Sequence, residues 1–127
     1  MVDTDVTQQF IDALAALERE RNAEQITALF GSESEVGNIV SPRQFSGVEG
    51  ARAFWEAYRD TFGEVASSFR NVIVSDGRAA LEWTTTGTAN GRDIEYAGVS
   101  ILEIEDGKVK RFMAYFDPRS LTEQVVS

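Results

Sequence analysis

The chain has 127 residues, 43% of them hydrophobic and 26% charged, with a formal net charge of −9 and neither cysteine nor histidine. The two missing residue types exclude disulfides, thiolate chemistry and histidine-based catalysis or metal binding. The negative balance argues against a nucleic-acid partner, because nothing is left to neutralise a polyanion. The length suits a single domain over residues 1–127 that buries roughly two thirds of its unfolded surface, and no segment approaches the ~20 apolar residues of a membrane span.

The first ten residues, MVDTDVTQQF, are acidic and amphipathic and lack the basic leader and apolar run of a secretion signal, so the expected location is the cytoplasm. Asp5 followed by Gln8 reads as a helix start. Val6, Phe10, Leu14 and Leu17 then recur at helical spacing to about Arg21. Asn22 with Gln25 repeats the start signal and predicts a short second helix carrying Ile26, Leu29 and Phe30, stopped at Gly31. GSESEVGNIVSPRQFSG reads as loop, with a short strand at Glu35 to Val40 and a reversal at Pro42. Ser46 with Glu49 predicts a capping box, and the helix behind it places Ala51, Phe54, Trp55, Tyr58 and Phe62 on one stripe before Gly63. The acidic runs ERERNAE and SESE read as solvated faces.

From there the period changes from helical to alternating. Ser68 to Ser75, Arg78 to Thr88, Ile94 to Glu105 and Lys108 to Asp117 are strand candidates joined by turns at SDGR, TANGRD and EDGK. Strands this long must twist and bend. The closing PRSLTEQVVS either adds a helical turn or frays. The expected class is α+β, with helices first and an antiparallel meander after them.

Three stretches carry a family likeness: NAEQITALFGSESEV, SGVEGARAFWEAY, and EWTTTGTANGRDIEYAGVSILEIEDGKVKRFMAYFDP. Their order and spacing resemble the SnoaL-like, polyketide-cyclase-related group of the nuclear transport factor 2-like superfamily. The resemblance implies a cone-shaped fold, with N-terminal helices packed on a strongly curved, mostly antiparallel sheet around an apolar interior. It also implies a homodimer through the outer sheet face, for which Val99, Ile101, Met113 and Tyr115 supply outward apolar positions.

By the same resemblance, Leu81, Trp83 and Thr85, then Tyr96, Gly98, Ser100 and Leu102, then Phe112, Ala114 and Phe116 point inward. Phe10 and Leu14, Asn38, and Trp55 or Tyr58 close the interior. Matched to ketosteroid-isomerase-like relatives, the base position reads Asn38, the tyrosine position Leu14 and the acid position Ser100. An amide cannot accept a carbon-bound proton, and one hydroxyl is a weak oxyanion donor. Shifting the loop by three residues offers Glu35 instead. The epoxide-hydrolase-like positions read Leu81, Trp83 and Ala114, which hold neither arginine nor aspartate, and scytalone-type dehydratases need a histidine. A cyclase-like reading leaves Asp117, whose alternative role is a strand-end carboxylate capping backbone amides.

Trp83, Phe112 and Phe116 serve either as core filling or as a ligand platform. Asn38 and Ser100, polar at inward positions, bond within the protein or wait for a ligand. The leading expectation is a protein without a recognisable catalytic set that binds a small, largely apolar molecule in its interior, with no metal or nucleotide cofactor, since the chain has no glycine-rich phosphate loop and no ligand cluster. Two others stand beside it: a cofactor-independent cyclase or isomerase with Glu35 or Asp117 as base, helped by Asn38, Tyr96 and Ser100, and a dimeric interaction module whose interior its own aromatics fill.

Overall fold

The computed structural model describes residues 3–40 and 45–120. Two helices, α1 (Asp3–Glu20) and the one-turn α2 (Glu24–Thr27), lead into β1 (Phe30–Asn38). The two-residue β2 (Phe45–Ser46) precedes α3 (Gly47–Asp60), and four strands complete the fold: β3 (Val65–Ser75), β4 (Arg78–Ala89), β5 (Arg92–Glu105) and β6 (Lys108–Phe116). They form one unclosed sheet in the order β2-β1-β6-β5-β4-β3. All neighbours are antiparallel except β1 and β6.

Local chemistry accounts for the hairpins. Asp76-Gly77, Asn90-Gly91 and Asp106-Gly107 all take positive φ, the backbone that two-residue hairpin turns with the right twist require. Bulges bend the ladder. Arg70 is the extra residue where the β3 register shifts between Phe69 and Asn71, and a second shift falls between Glu103 and Ile104. The helices lie against the resulting concavity. Val6, Phe10, Leu14 and Leu17 of α1 and Ala51, Phe54 and Trp55 of α3 are buried in the same core as Val36, Leu102 and Phe112 of the sheet.

Several boundaries differ from the sequence reading. The second helix ends at Thr27, and Phe30 is the first residue of β1, which is longer than expected and starts earlier. The Asn22 side chain still acts at the helix start, accepting from the Glu24 N–H at 2.9 Å. Ser46 sits at the N-cap of α3 with extended backbone but makes no side-chain cap bond, so the capping box does not form; Glu49 lies 3.7 Å from Arg52 instead. β3 begins at Val65, three residues ahead of the alternation signal, because its first residues pair with the far end of the long β4. Residues 118–120 form a helical turn, whereas the reversal expected at Pro42 and the chain after Ser120 lie outside the described residues.

Candidate functional site

Sheet register sets the inner wall row by row. Phe69 faces Trp83, which faces Gly98, which faces Phe116. The next row is Ser67, Thr85 and Tyr96. On the other side, Leu81, Ser100, Ala114 and Asn38 are in line, so Ala114 separates the Ser100 hydroxyl from the Asn38 amide. Two strand spacings, roughly 10 Å, lie between those two backbones. Helices close the other side with Phe10 and Leu14 from α1 and Phe54, Trp55 and Tyr58 from α3.

Between them lies a cavity of about 390 Å³, within the size range of small-molecule sites. Its lining reaches the surface at Val40, Ala57 and Thr61. One aromatic cluster centres on Trp55, whose ring lies 4.9 Å from both Phe54 and Phe112 and 5.8 Å from Phe10. A second joins Trp83, Tyr96 and Phe116, at 5.2 to 6.2 Å between centroids. Each such edge-on pair adds about 0.5–1.5 kcal/mol beyond area burial. The rings hold one another and leave the space between the clusters unfilled.

The expected lining residues come together with one exception. Phe10, Leu14, Asn38, Trp55, Tyr58 and Trp83 reach the cavity, as do Tyr96, Ser100, Phe112, Ala114 and Phe116. Leu81 does not. It is fully enclosed by core packing, so none of its surface remains to face the space. Glu35 is exposed on the outward parity of β1, and Asp117 is exposed beyond the end of β6, so neither carboxylate reaches the cavity. Asp117 accepts from the Arg119 backbone N–H at 3.0 Å and from its guanidinium at 3.2 Å. Those bonds, the guanidinium first and the backbone N–H second, hold its carboxyl below the ordinary range.

The two inward polar residues have protein partners. Asn38 Oδ1 accepts from the Val40 N–H at 2.9 Å, closing a local loop. Ser100 Oγ accepts from Trp83 Nε1 at 2.9 Å, which satisfies a buried indole donor. Gly98 makes that bond possible. A Cβ there would stand 2.7 Å from the Trp83 ring and 2.3 Å from the Tyr115 carbonyl oxygen.

The sequence reading missed a carboxylate. Glu18, in the ERERNAE run that reads as a solvated face, is only 4% exposed. Tyr58 Oη donates to its Oε2 at 2.7 Å, Ser67 Oγ donates to the same oxygen at 2.6 Å, and the Ser67 N–H donates to Oε1 at 2.9 Å. Ser67 Oγ also lies 2.7 Å from Thr85 Oγ1. Tyr58, Ser67 and Thr85 line the cavity, which leaves Glu18 one hydroxyl behind its wall. Helical spacing held the signal: Glu18 follows Leu14 by four residues on the buried stripe, and a charge on an apolar face is the informative exception. Ser67 was missed because it precedes the alternating run, and Phe69 because its strand's facing was not fixed until the Trp83 pairing was known.

Burial, and then the charge on Glu18, push the Tyr58 phenol well above its ordinary value. The same two causes push Tyr96 from 10.0 up to about 12. Both phenols therefore remain protonated donors at neutral pH. The Tyr96 hydroxyl makes no hydrogen bond among the described residues. Among those residues no cluster of three or more acidic, cysteine or histidine side chains is arranged to hold a metal, and no helix is long and apolar enough to cross a membrane.

The SnoaL-like domain model matches residues 7–112. The chain belongs to the SnoaL-like family. Solved structures agree on the fold. TsrD from Streptomyces laurentii superposes with a TM-score of 0.82 at 21% identity, over 99% of this chain and 98% of that one. An LEH-like epoxide hydrolase from M. tuberculosis gives 0.75 at 13% identity, over 96% and 87%. A protein with a ketosteroid isomerase-like fold from Catenulispora acidiphila, in complex with trimethylamine, gives 0.81 at 13% identity, over 92% of each chain. The comparison with curated proteins gives no match. This SnoaL-like chain thus shares its helices-on-a-curved-sheet architecture with proteins of several activities, and its own side chains must decide what the cavity does.

Proposed function

We propose that this SnoaL-like protein binds a small, largely apolar molecule in the cavity between its helices and sheet. The observation that carries the reading is an unfilled space of about 390 Å³ that combines aromatic walls with a few polar points, among them a Tyr96 hydroxyl without a partner among the described residues. An apolar ligand gains from leaving water, at about 25 cal/mol per Å² of apolar surface buried. Polar points then fix its orientation. Native mass spectrometry of freshly purified protein, followed by addition of steroid, polyketide and terpenoid probes, tests this. Retained or added mass in a one-to-one ratio with the chain is the expected result, and a bare spectrum with every probe overturns it.

Glu18 favours a second reading, that of a cofactor-independent isomerase or cyclase. The candidate bases Glu35 and Asp117 are exposed outside the cavity, but Glu18 is a carboxylate one hydroxyl away from it. Mild proton transfer through that hydroxyl is the chemistry such an arrangement serves. Turnover of a bound probe that Glu18→Gln abolishes would favour this reading over simple binding.

The proposed assembly is a homodimer through the outer sheet face. Ile73, Ala80, Ile101 and Met113 form one row across four strands, and Ile73 and Tyr115 are 64% and 44% exposed. A second copy would remove that apolar row from water.

A further inference from the structure

The hydrogen bonds around Glu18 have a direction, and the direction reaches the cavity. As a carboxylate Glu18 is an acceptor only. Ser67 has one hydroxyl proton, and it goes to Glu18 Oε2. The 2.7 Å contact between Ser67 Oγ and Thr85 Oγ1 therefore takes its proton from Thr85. Tyr58 likewise directs its proton to Glu18. Tyr58 Oη and Thr85 Oγ1, the hydroxyl oxygens of two residues that line the cavity, are thus left with lone pairs and no proton to offer. The opposite holds elsewhere in the wall. Ser100 Oγ accepts from Trp83, which leaves the Ser100 hydroxyl proton available, and the Tyr96 hydroxyl is without a partner among the described residues.

From this polarity we infer that the ligand is an apolar molecule bearing both a hydroxyl and a carbonyl, its hydroxyl donated to Tyr58 and Thr85 and its carbonyl accepting from Tyr96 or Ser100. The inference rests on the proposed binding role of the cavity and names the chemical class that fits it. A ligand with an ether in place of the hydroxyl would set lone pairs against lone pairs. Glu18 is then a specificity-determining residue that acts through its neighbours, since it does not itself line the space.

Matched pairs test the inference. Estrone, which carries a phenol and a ketone, and naphthol are compared with their methyl ethers by isothermal titration calorimetry on the full chain. The hydroxyl compound of at least one pair should bind roughly tenfold or more tightly than its ether, the ratio expected for a hydrogen bond into a charge-polarised group. Glu18→Gln replaces an acceptor-only group with one that also donates, which releases the network from its fixed direction. The ratio should fall to about threefold or less, with the ether's affinity rising or unchanged. If Glu18→Gln does not fold, Tyr58→Phe combined with Thr85→Val removes both proton-free oxygens and should collapse the ratio in the same way.

Each remaining outcome counts against the inference. Equal affinity within both pairs, or a preference for the ethers, overturns it and leaves the binding role standing. A hydroxyl preference that survives either variant overturns the part assigned to Glu18, Tyr58 and Thr85. Failure of every probe to bind overturns the binding role and this inference together.

Discussion

The indole N–H of Trp83 donates to the hydroxyl of Ser100 at 2.9 Å, tying β4 to β5 on the inner face of the sheet and next to the cavity. Replacing Ser100 with alanine removes the acceptor and strands a buried donor. The expected loss is about 1–3 kcal/mol of folding stability. Urea denaturation checks it, with tryptophan emission from Trp55 and Trp83 as the probe.

Gly98 is the companion to that bond, because it is the residue over which the Trp83 ring lies. Gly98→Ala forces either the ring or the strand to move, since the new methyl meets the Tyr115 carbonyl oxygen at 2.3 Å. Overpacking of this kind costs about 1–3 kcal/mol. Thermal unfolding should show the loss and near-ultraviolet circular dichroism a changed Trp83 environment. An unaltered spectrum would mean that the ring does not rest where the structure places it.

Glu18 binds three donors, so its removal is felt widely. Glu18→Ala leaves the Ser67 N–H and two hydroxyls without their acceptor and should cost about 3 kcal/mol or more. Glu18→Gln keeps one acceptor and should cost less, roughly half as much. Denaturant midpoints of the two variants against the parent settle the order.

Alkaline pH should weaken the fold, and the sign follows from the phenols. Tyr96 ionises at about 12 in the folded chain against 10.0 ordinarily, and Tyr58 shifts in the same direction, so the folded state holds these protons more tightly than the unfolded chain does. The stabilisation from Tyr96 is fully present below pH 10.0 and is lost as pH rises from there through about 12. Glu18→Gln, by removing a negative charge, should lower the upper edge of that window. Phenolate absorbance followed alongside unfolding measures both.

The outer face carries its own expectation. If Ile73, Ala80, Ile101 and Met113 meet a second copy, Ile101→Lys should convert dimer to monomer without unfolding the chain. Native mass spectrometry reads the change, and a parent chain that is already monomeric overturns the assembly.

Periodicity made most of the architecture legible. The Asp-Gly and Asn-Gly turns marked the hairpins, and once the family resemblance fixed which parity faces inward, alternation carried the inner face through Trp83, Tyr96, Ser100 and Phe112 of three strands. Places where a long-range partner decides the outcome were not legible. Phe30 becomes strand rather than helix because β1 pairs with β6, which no local propensity announces. Ser67 belongs to β3 only through its pairing with Thr85. Glu18 was hidden by composition: its charged neighbours Arg19, Glu20 and Arg21 are exposed, and helical position alone separates it from them. Leu81 shows the reverse error, since inward facing does not by itself bring a side chain to the cavity.

Both tryptophans of the chain, Trp55 and Trp83, line the cavity, one on the helical side and one on the sheet. Their two indole N–H resonances therefore report occupancy directly. Titration of nitrogen-15-labelled protein with estrone should move both signals in a saturable, one-to-one manner while the amide of Tyr115, on the outer face, stays in place. Two indole signals that remain fixed while outer-face amides shift would show that small apolar molecules meet only the surface and never enter the cavity.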